Sequence, residues 1–410
     1  MKKTILLACL LLFLSCKEDE KKVPSKRSNS DGQLLRESST STGEEMDVEK
    51  HNPIQQATAH HVKVGYAQGF SIEKSASGLS LIKVASPWPD AESAFTYALV
   101  PRDKMAATTL NKDKYDAIVA VPVERIVVTS TTHIPALEAL DATDKLVGFP
   151  GTDYISSKAT RKRIAGGQVR ELGNNESINT EMVLELNPDV VVGFGVDGQN
   201  KAYGTLQRAN IPVVYNGDWT EESPLGKAEW IKFFAPFFGK EIEADSIFRG
   251  IEKSYLEAQE LAATAPQKPS VLSGALYKDV WYLPGGESWA AQFIADANAD
   301  YLWDDTSETG SLSLSIESVL EKGKQAEFWV SPSQFTSYQE MEDANRHYRQ
   351  IDAFQNRKIF TFAATKGQTG GLLYYEIAPH RPDLVLKDLI HIFHPNLLPD
   401  YEPFFFKPLE

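Results

Sequence analysis

Apolar and polar positions alternate differently in different stretches of the chain, and the changes of rhythm mark its elements. Residues 70–73 and 79–84 alternate with period two around Ser75-Ala76-Ser77-Gly78, which predicts a β-hairpin. A third strand is expected over 95–100, so the first folded stretch, from residue 61, reads as a small antiparallel edge. The rhythm then turns to short, continuous apolar runs, the pattern of strands buried on both faces. Such runs lie at 125–128, 145–149, 189–192 and 211–215, separated by helical patterns over 134–140, over 179–186 and around Leu206. Strands alternating with helices imply a doubly wound α/β lobe.

A mainly helical stretch over 225–263 follows, rich in Trp and Phe, with Pro236 and Gly239 expected to break it early. Its longer part, from about Glu241 to Ala263, predicts a helix of roughly 35 Å. Pro266-Gln267-Lys268-Pro269 ends that helix and opens a second unit. There, strands are expected at 270–276, 327–330 and 358–362, and helices at 289–297, 314–322 and 382–393, with a turn at 284–288. The pattern therefore predicts two doubly wound α/β lobes joined by one long helix, with a ligand cleft between them. The boundaries are 61–224 for the N-terminal lobe, 225–264 for the linking helical segment and 265–410 for the C-terminal lobe.

The chain's start has another character. Lys2 and Lys3 precede an apolar run over 5–14, too short to span a bilayer as a helix, which reads as a secretory signal. It ends Phe13-Leu14-Ser15-Cys16 and resembles a bacterial lipobox, except that Phe13 stands where Leu is usual. That resemblance implies a signal peptide over 1–16, cleavage before Cys16 and lipidation of Cys16. A triacylated cysteine satisfies the need for more than one acyl chain in stable anchoring. Residues 17–60, rich in Ser, Thr, Glu and Lys, are expected to form a disordered tether. Lys17-Glu18-Asp19 resembles the signal that sends some lipoproteins to the outer face of the outer membrane; the alternative is a solvated charge run.

Composition narrows the chemistry. Of 410 residues, 42 are Lys or Arg and 56 are Asp or Glu, a formal charge of −14. General nucleic-acid binding, which needs basic residues against phosphates, is disfavoured. Membrane contact is expected through the N-terminal lipid only. Cys9 and Cys16 are the only cysteines, which excludes thiolate metal sites and cysteine nucleophiles from the rest of the chain. Gly-x-Ser-x-Gly and His-Glu-x-x-His are absent, and the chain is not expected to be an enzyme. Gly193-Phe194-Gly195-Val196-Asp197-Gly198 has the form of a dinucleotide loop. It follows two earlier strands rather than opening the first βα unit, and is read as a flexible cleft loop.

Over roughly 118–395 a series of motifs follows in order: Glu124-Arg125-Ile126-Val127-Val128, Asp144-Lys145-Leu146-Val147-Gly148, Glu181 through Val192, Pro284-Gly285-Gly286-Glu287-Ser288, Ser315 through Leu320 and Arg381 through Leu389. Their order resembles the helical-backbone class of ABC-importer substrate-binding lipoproteins, which serve vitamin B12, ferric siderophores and haem. Residues 61–117 fall outside the match. The resemblance implies a monomeric receptor that captures a metal chelate, either a cobalamin-type corrinoid or a ferric siderophore, with haem as the alternative. No covalent cofactor is expected. The partner it implies is an ABC importer permease, or an outer-membrane receptor if the protein is surface displayed.

In open α/β sheets the ligand sits at the carboxyl ends of the strands. The expected ligand contacts are therefore Thr132, His133, Tyr154, Phe194 and Trp219 in the first lobe. In the second they are Trp281, Tyr282, Trp303, Ser311, Lys366 and Gly367. Tyr154 and Phe194 fall in loops where B12-binding relatives carry aromatic contacts. His133 has either of two roles, a metal or haem ligand or a loop histidine bonded to backbone; no bare-metal site is expected. Lys366 is the main cation among these loops, which tilts the expectation away from strongly anionic catecholates. Glu181 and Glu317, each near the start of a helix, one per lobe, match the resemblance's pair that docks on Arg pockets of the permease. The plain alternative is that each complements its own helix dipole.

Overall fold

A computed structural model describes residues 60–410, except 76, 77, 90 and 199. The lipidation candidate Cys16, the Lys17-Glu18-Asp19 signal and the tether lie outside the described residues.

The first sheet is larger than the expected antiparallel edge. β1 (His60–Val62), β2 (Phe70–Lys74), β3 (Ser80–Val84) and β4 (Phe95–Pro101) pair antiparallel in order, and β5 (Ala117–Val121) joins β4 in parallel. Its apolar face shares one core with the first lobe. Ile72, Ile82, Tyr97, Leu99 and Val119 pack in the same cluster as Val128, Trp230 and Phe233.

The N-terminal lobe follows as β6 (Ile126–Val128), α1 (His133–Ala139), β7 (Leu146–Phe149), α2 (Lys158–Ala165) and β8 (Arg170–Glu171). A short hairpin, β9 (Gly173–Asn174) and β10 (Ser177–Ile178), leads to α3 (Thr180–Leu186), β11 (Val190–Gly193), α4 (Lys201–Arg208) and β12 (Val213–Tyr215). The sheet order is β12-β11-β6-β7-β8, all parallel. Strand order reverses between β6 and β11, which places a crevice at their carboxyl ends.

The connection is built from α5 (Pro224–Glu229), α6 (Ile231–Phe238) and α7 (Glu241–Ala262). Pro236 does not break its helix; it lies within α6, and Gly239, in the left-handed region at φ +67°, ends it. The 22 residues of α7 span about 33 Å at 1.5 Å per residue. Its first half, through Ala244 and Phe248, is buried in the core of the N-terminal lobe. Its second half, through Tyr255, Ala258 and Ala262, is buried in the core of the C-terminal lobe. One continuous helix sunk into both cores is a stiff connection, because bending it would break both packings.

The C-terminal lobe opens with β13 (Ser270–Ser273), β14 (Ala275–Tyr277), β15 (Val280–Pro284), α8 (Trp289–Asp296) and β16 (Asp300–Tyr301). It continues with β17 (Ser311–Leu314), α9 (Ile316–Gly323), β18 (Phe328–Val330), α10 (Tyr338–Ala344), α11 (Asp352–Gln355) and β19 (Ile359–Thr361). α12 (Leu373–Ile377), α13 (Pro382–Phe393) and β20 (Lys407–Pro408) complete it. The main sheet runs β16-β13-β18-β19-β20, with β20 antiparallel. The single strand expected over 270–276 is two strands. The chain turns at Gly274, φ +74°, where a Cβ would lie 1.9 Å from the Tyr282 carbonyl oxygen, and β14 leaves to form an antiparallel sheet with β15 and β17. Two doubly wound α/β lobes on one long helix are therefore present.

Candidate functional site

At the switch point of the first lobe, Thr129 follows β6 and Phe194 follows β11. The Phe194 N–H donates to Thr129 Oγ1 at 2.8 Å, and the buried Tyr203 hydroxyl lies 3.0 Å from that oxygen and 3.1 Å from the Phe194 carbonyl. The backbone of Phe194 is thus fixed while its ring stays half-exposed against Trp219, edge to face at 5.8 Å. Trp219 follows β12 and is also half-buried. These two expected contacts form one aromatic pair on the rim, a geometry suited to a broad apolar ligand face.

Tyr154 stands 51% exposed on the loop after β7. Glu171 holds that loop by accepting from the N–H groups of Gly151, Thr152 and Gly173 and from the Thr152 hydroxyl, at 2.6–2.8 Å. Burial alone would raise the Glu171 carboxyl, but these hydrogen bonds hold it below its ordinary value.

The lobes touch directly along one seam. The N–H groups of Ser156 and Ser157 donate to the buried Glu376 carboxylate at 2.5 and 3.0 Å, placing that charge at the N-terminus of α2. Burial nevertheless pushes Glu376 up. The half-buried Thr132 contributes its carbonyl oxygen, 2.7 Å from His380 Nε2 of the second lobe. Gly367 and Gly371 press on the first lobe. A Cβ on Gly367 would meet Ser156 Cβ at 2.6 Å, and one on Gly371 would meet the Tyr154 carbonyl oxygen at 2.4 Å. Lys366 is exposed beside them, bridged to Leu372.

Three expected ligand contacts lie in the interior instead. Trp281 has no exposure; it stacks on Trp329 at 5.2 Å and donates to the Ser273 carbonyl. The cause is strand alternation: on β15, Trp281 and Leu283 are buried while Tyr282 is half-buried. Trp303 is 5% exposed, packed near Tyr301. His133, at the start of α1, is fully buried beside Phe234. Its ring nitrogens and the buried amide nitrogen of Asn216 have only each other as polar neighbours. Burial lowers its pKa to about 4, against the opposing pull of Asp218, so the ring is neutral. The expected backbone hydrogen bond is not made. Among the described residues no group of three His, Cys, Asp or Glu side chains is placed to hold a metal. Tyr282 is half-buried and Ser311 exposed, on β15 and β17.

One residue at the hinge went unrecognised in sequence. Lys227 of α5 is buried and donates to the carbonyls of Asp218 and Trp219 at 3.1 and 3.0 Å. Its ammonium also lies 5.2 Å from the ring of Trp289, which is half-buried at the start of α8 against the second lobe's core. Burial lowers Lys227 to about 8, opposed by Asp218 and Glu221. This cation joins the Trp219 loop of one lobe to a tryptophan of the other. Glu376 and His380 were likewise invisible, because their partners lie more than 200 residues away.

Glu181 and Glu317 are both exposed and occupy equivalent places. Each lies in the first turn of its helix, α3 or α9, capped by Asn179 and Ser315. Each helix feeds the strand that pairs with its lobe's own first strand, β11 with β6 and β18 with β13. Neither makes an ion pair among the described residues. The backbone N–H at its helix start, Ser315 and His347 hold Glu317 below its ordinary value.

A family model described as "Periplasmic binding protein" matches residues 126–365. An uncharacterised lipoprotein of Methanocaldococcus jannaschii is 29% identical over 299 residues, covering 70% of this chain and 69% of its own. A periplasmic binding protein of Veillonella parvula superposes with a TM-score of 0.54 at 18% identity, over 79% of this chain and 94% of its own. A periplasmic heme-binding protein of Roseiflexus, solved in its apo form, gives 0.52 at 19% identity, over 67% and 99%.

Proposed function

The chain belongs to the periplasmic binding protein family, and on that premise we propose that it is a lipid-anchored receptor that captures a metal chelate and hands it to an ABC importer. The observation that supports this most is the pairing of Phe194 with Trp219 on the loops that follow β11 and β12. Two half-exposed aromatic rings on fixed backbone suit capture of a large, partly apolar guest without chemistry upon it. Lys366 is the one exposed cation among the expected contacts, which favours a corrinoid or a weakly anionic ferric siderophore over a catecholate complex. Haem is the second candidate, supported by the heme-binding neighbour of the same fold.

Glu181 and Glu317, equivalent and unpaired, are the proposed docking points for the two permease subunits. Cys16 is the proposed lipid attachment, in keeping with a relative named as a lipoprotein. The anchored protein would face the periplasm. Display on the outer surface, with an outer-membrane receptor as partner, predicts cleavage by protease added to intact cells; complete protection removes it.

The ligand assignment is tested by titrating the protein with cyanocobalamin, cobinamide, haemin and ferrichrome, followed by calorimetry. Binding of one of these with one-to-one stoichiometry, weakened by Phe194→Ala or Trp219→Ala, is the expected result. Tight binding that neither substitution alters would overturn the placement of the site.

A further inference from the structure

Residues 60–121 lie before the stretch that the family model covers, yet the loop between β3 and β4 reaches the rim just described. Trp219 Nε1–H donates to the Pro87 carbonyl at 3.1 Å, and the Thr220 hydroxyl lies 3.1 Å from the Ser86 carbonyl. The approach is so close that a Cβ on Gly217 would stand 3.0 Å from Pro87 Cα and from the Ser86 oxygen. Trp88 covers the other loop. A Cβ on Gly198 would meet its Cζ2 at 3.1 Å, and one on Gly195 its Cε3 at 3.6 Å. The half-buried indole is itself held edge-on by Phe95 of β4 at 5.4 Å and by Tyr215 of β12 at 5.0 Å. Tyr97 of β4 continues the join, its hydroxyl accepting from the Tyr215 N–H at 3.0 Å.

The two loops need such support. Thr129 and Tyr203 hold Phe194 itself, but past it Trp88 is the nearest side chain to where a Cβ would stand on Gly195 and on Gly198. An aromatic contact on a wandering loop must be ordered each time a ligand binds, and that ordering subtracts from affinity.

We propose that the added five-stranded sheet is a working part of the ligand site: Ser86, Pro87 and Trp88 position the loops that present Phe194 and Trp219. Trp88 is a positioning residue, acting on the guest through the 194–198 loop. The proposal rests on the ligand reading above and deepens it, by making specificity depend on a segment outside the matched family region.

The test uses the whole chain carrying Trp88→Ala or Trp88→Phe. Amide hydrogen exchange in Trp88→Ala should accelerate at 194–198 and 216–220 and stay unchanged in α7 and at β18. Affinity for whichever of cyanocobalamin, cobinamide, haemin or ferrichrome the wild type binds should fall about tenfold in Trp88→Ala. Trp88→Phe, which keeps an aromatic face, should recover it to within about threefold. Exchange at the two loops equal to wild type overturns the brace. Accelerated exchange with unchanged affinity overturns its part in binding. A wild type that binds none of the four counts against the ligand reading alone, because the exchange measurement still decides whether Trp88 holds the loops.

Discussion

Replacing His133 with leucine turns a buried oddity into a measurable pH dependence. The imidazole is fully buried with only the Asn216 side chain as a polar neighbour, and burial brings it from 6.5 to about 4. A base whose folded value is depressed binds its proton more readily when unfolded. Its contribution is fully present above 6.5 and is lost as pH falls from 6.5 toward 4. A drop from 6.5 to about 4 is worth about 3 kcal/mol at about 1.4 kcal/mol per pH unit. At pH 5, where the unfolded ring is almost fully protonated and the folded one is not, about 2 kcal/mol of this is already lost. The assay is urea unfolding of wild type and His133→Leu at pH 7, 6 and 5 at constant ionic strength. The variant should lose about 2 kcal/mol less than wild type between pH 7 and 5. At pH 7 the two proteins should differ little, because leucine removes the buried imidazole nitrogens but also the one polar neighbour of the Asn216 amide. His380, also depressed by burial, repels a charged His133, so the difference between the two proteins reports His133 together with its effect on His380. A difference between the two proteins that does not change with pH would refute the reasoning.

Other perturbations probe the hinge, the seam and the docking face. Glu229 is buried, accepts from the N–H groups of Gly65, Tyr66 and Ala67 and pairs with buried Lys232; Glu229→Ala leaves those three N–H groups without their acceptor, while Lys232 keeps Asp245 and the Lys63 carbonyl, and should cost about 1–3 kcal/mol by urea unfolding, and a loss near zero would contradict this anchoring. Glu376 is raised by burial at the seam, so its contribution to lobe closure is fully present below the ordinary carboxyl value and fades as pH rises through the raised one. Urea unfolding should therefore show Glu376→Gln gaining stability relative to wild type as pH rises from 4 to 7; a difference between the two that does not change with pH would defeat this account. Glu181→Lys together with Glu317→Lys should leave chelate affinity unchanged and abolish uptake by cells, whereas loss of chelate binding would contradict a docking role.

What the one-dimensional pattern carried was the frame. Continuous apolar runs at 125–128, 189–192 and 211–215 became parallel strands, because a strand covered by helices on both faces has no polar side to show. The long helix was legible from its length and its flanking breakers, Gly239 and Pro266. Local grammar also located the loops that bear Phe194 and Trp219, and the helix starts that bear Glu181 and Glu317, since strand ends and caps are written in neighbouring residues.

Burial and long-range pairing were not written there. Trp281 and Tyr282 are adjacent and chemically alike, yet alternation on β15 sends one into the core and leaves the other half-buried, and which one depends on the strands that β15 meets. His133 lay in a suitable loop but turned inward against Phe234. Glu376, His380, Lys227 and Trp88 acquire meaning only from partners far away in the chain, and no local rhythm encodes a contact between residues 156 and 376. The sequence by itself determined two wound lobes on one stiff helix, because secondary structure and layer architecture follow from local hydrophobic periodicity. The tertiary structure alone decided which side chains face a guest and what holds them there, because exposure and bracing arise from packing between segments distant in the chain.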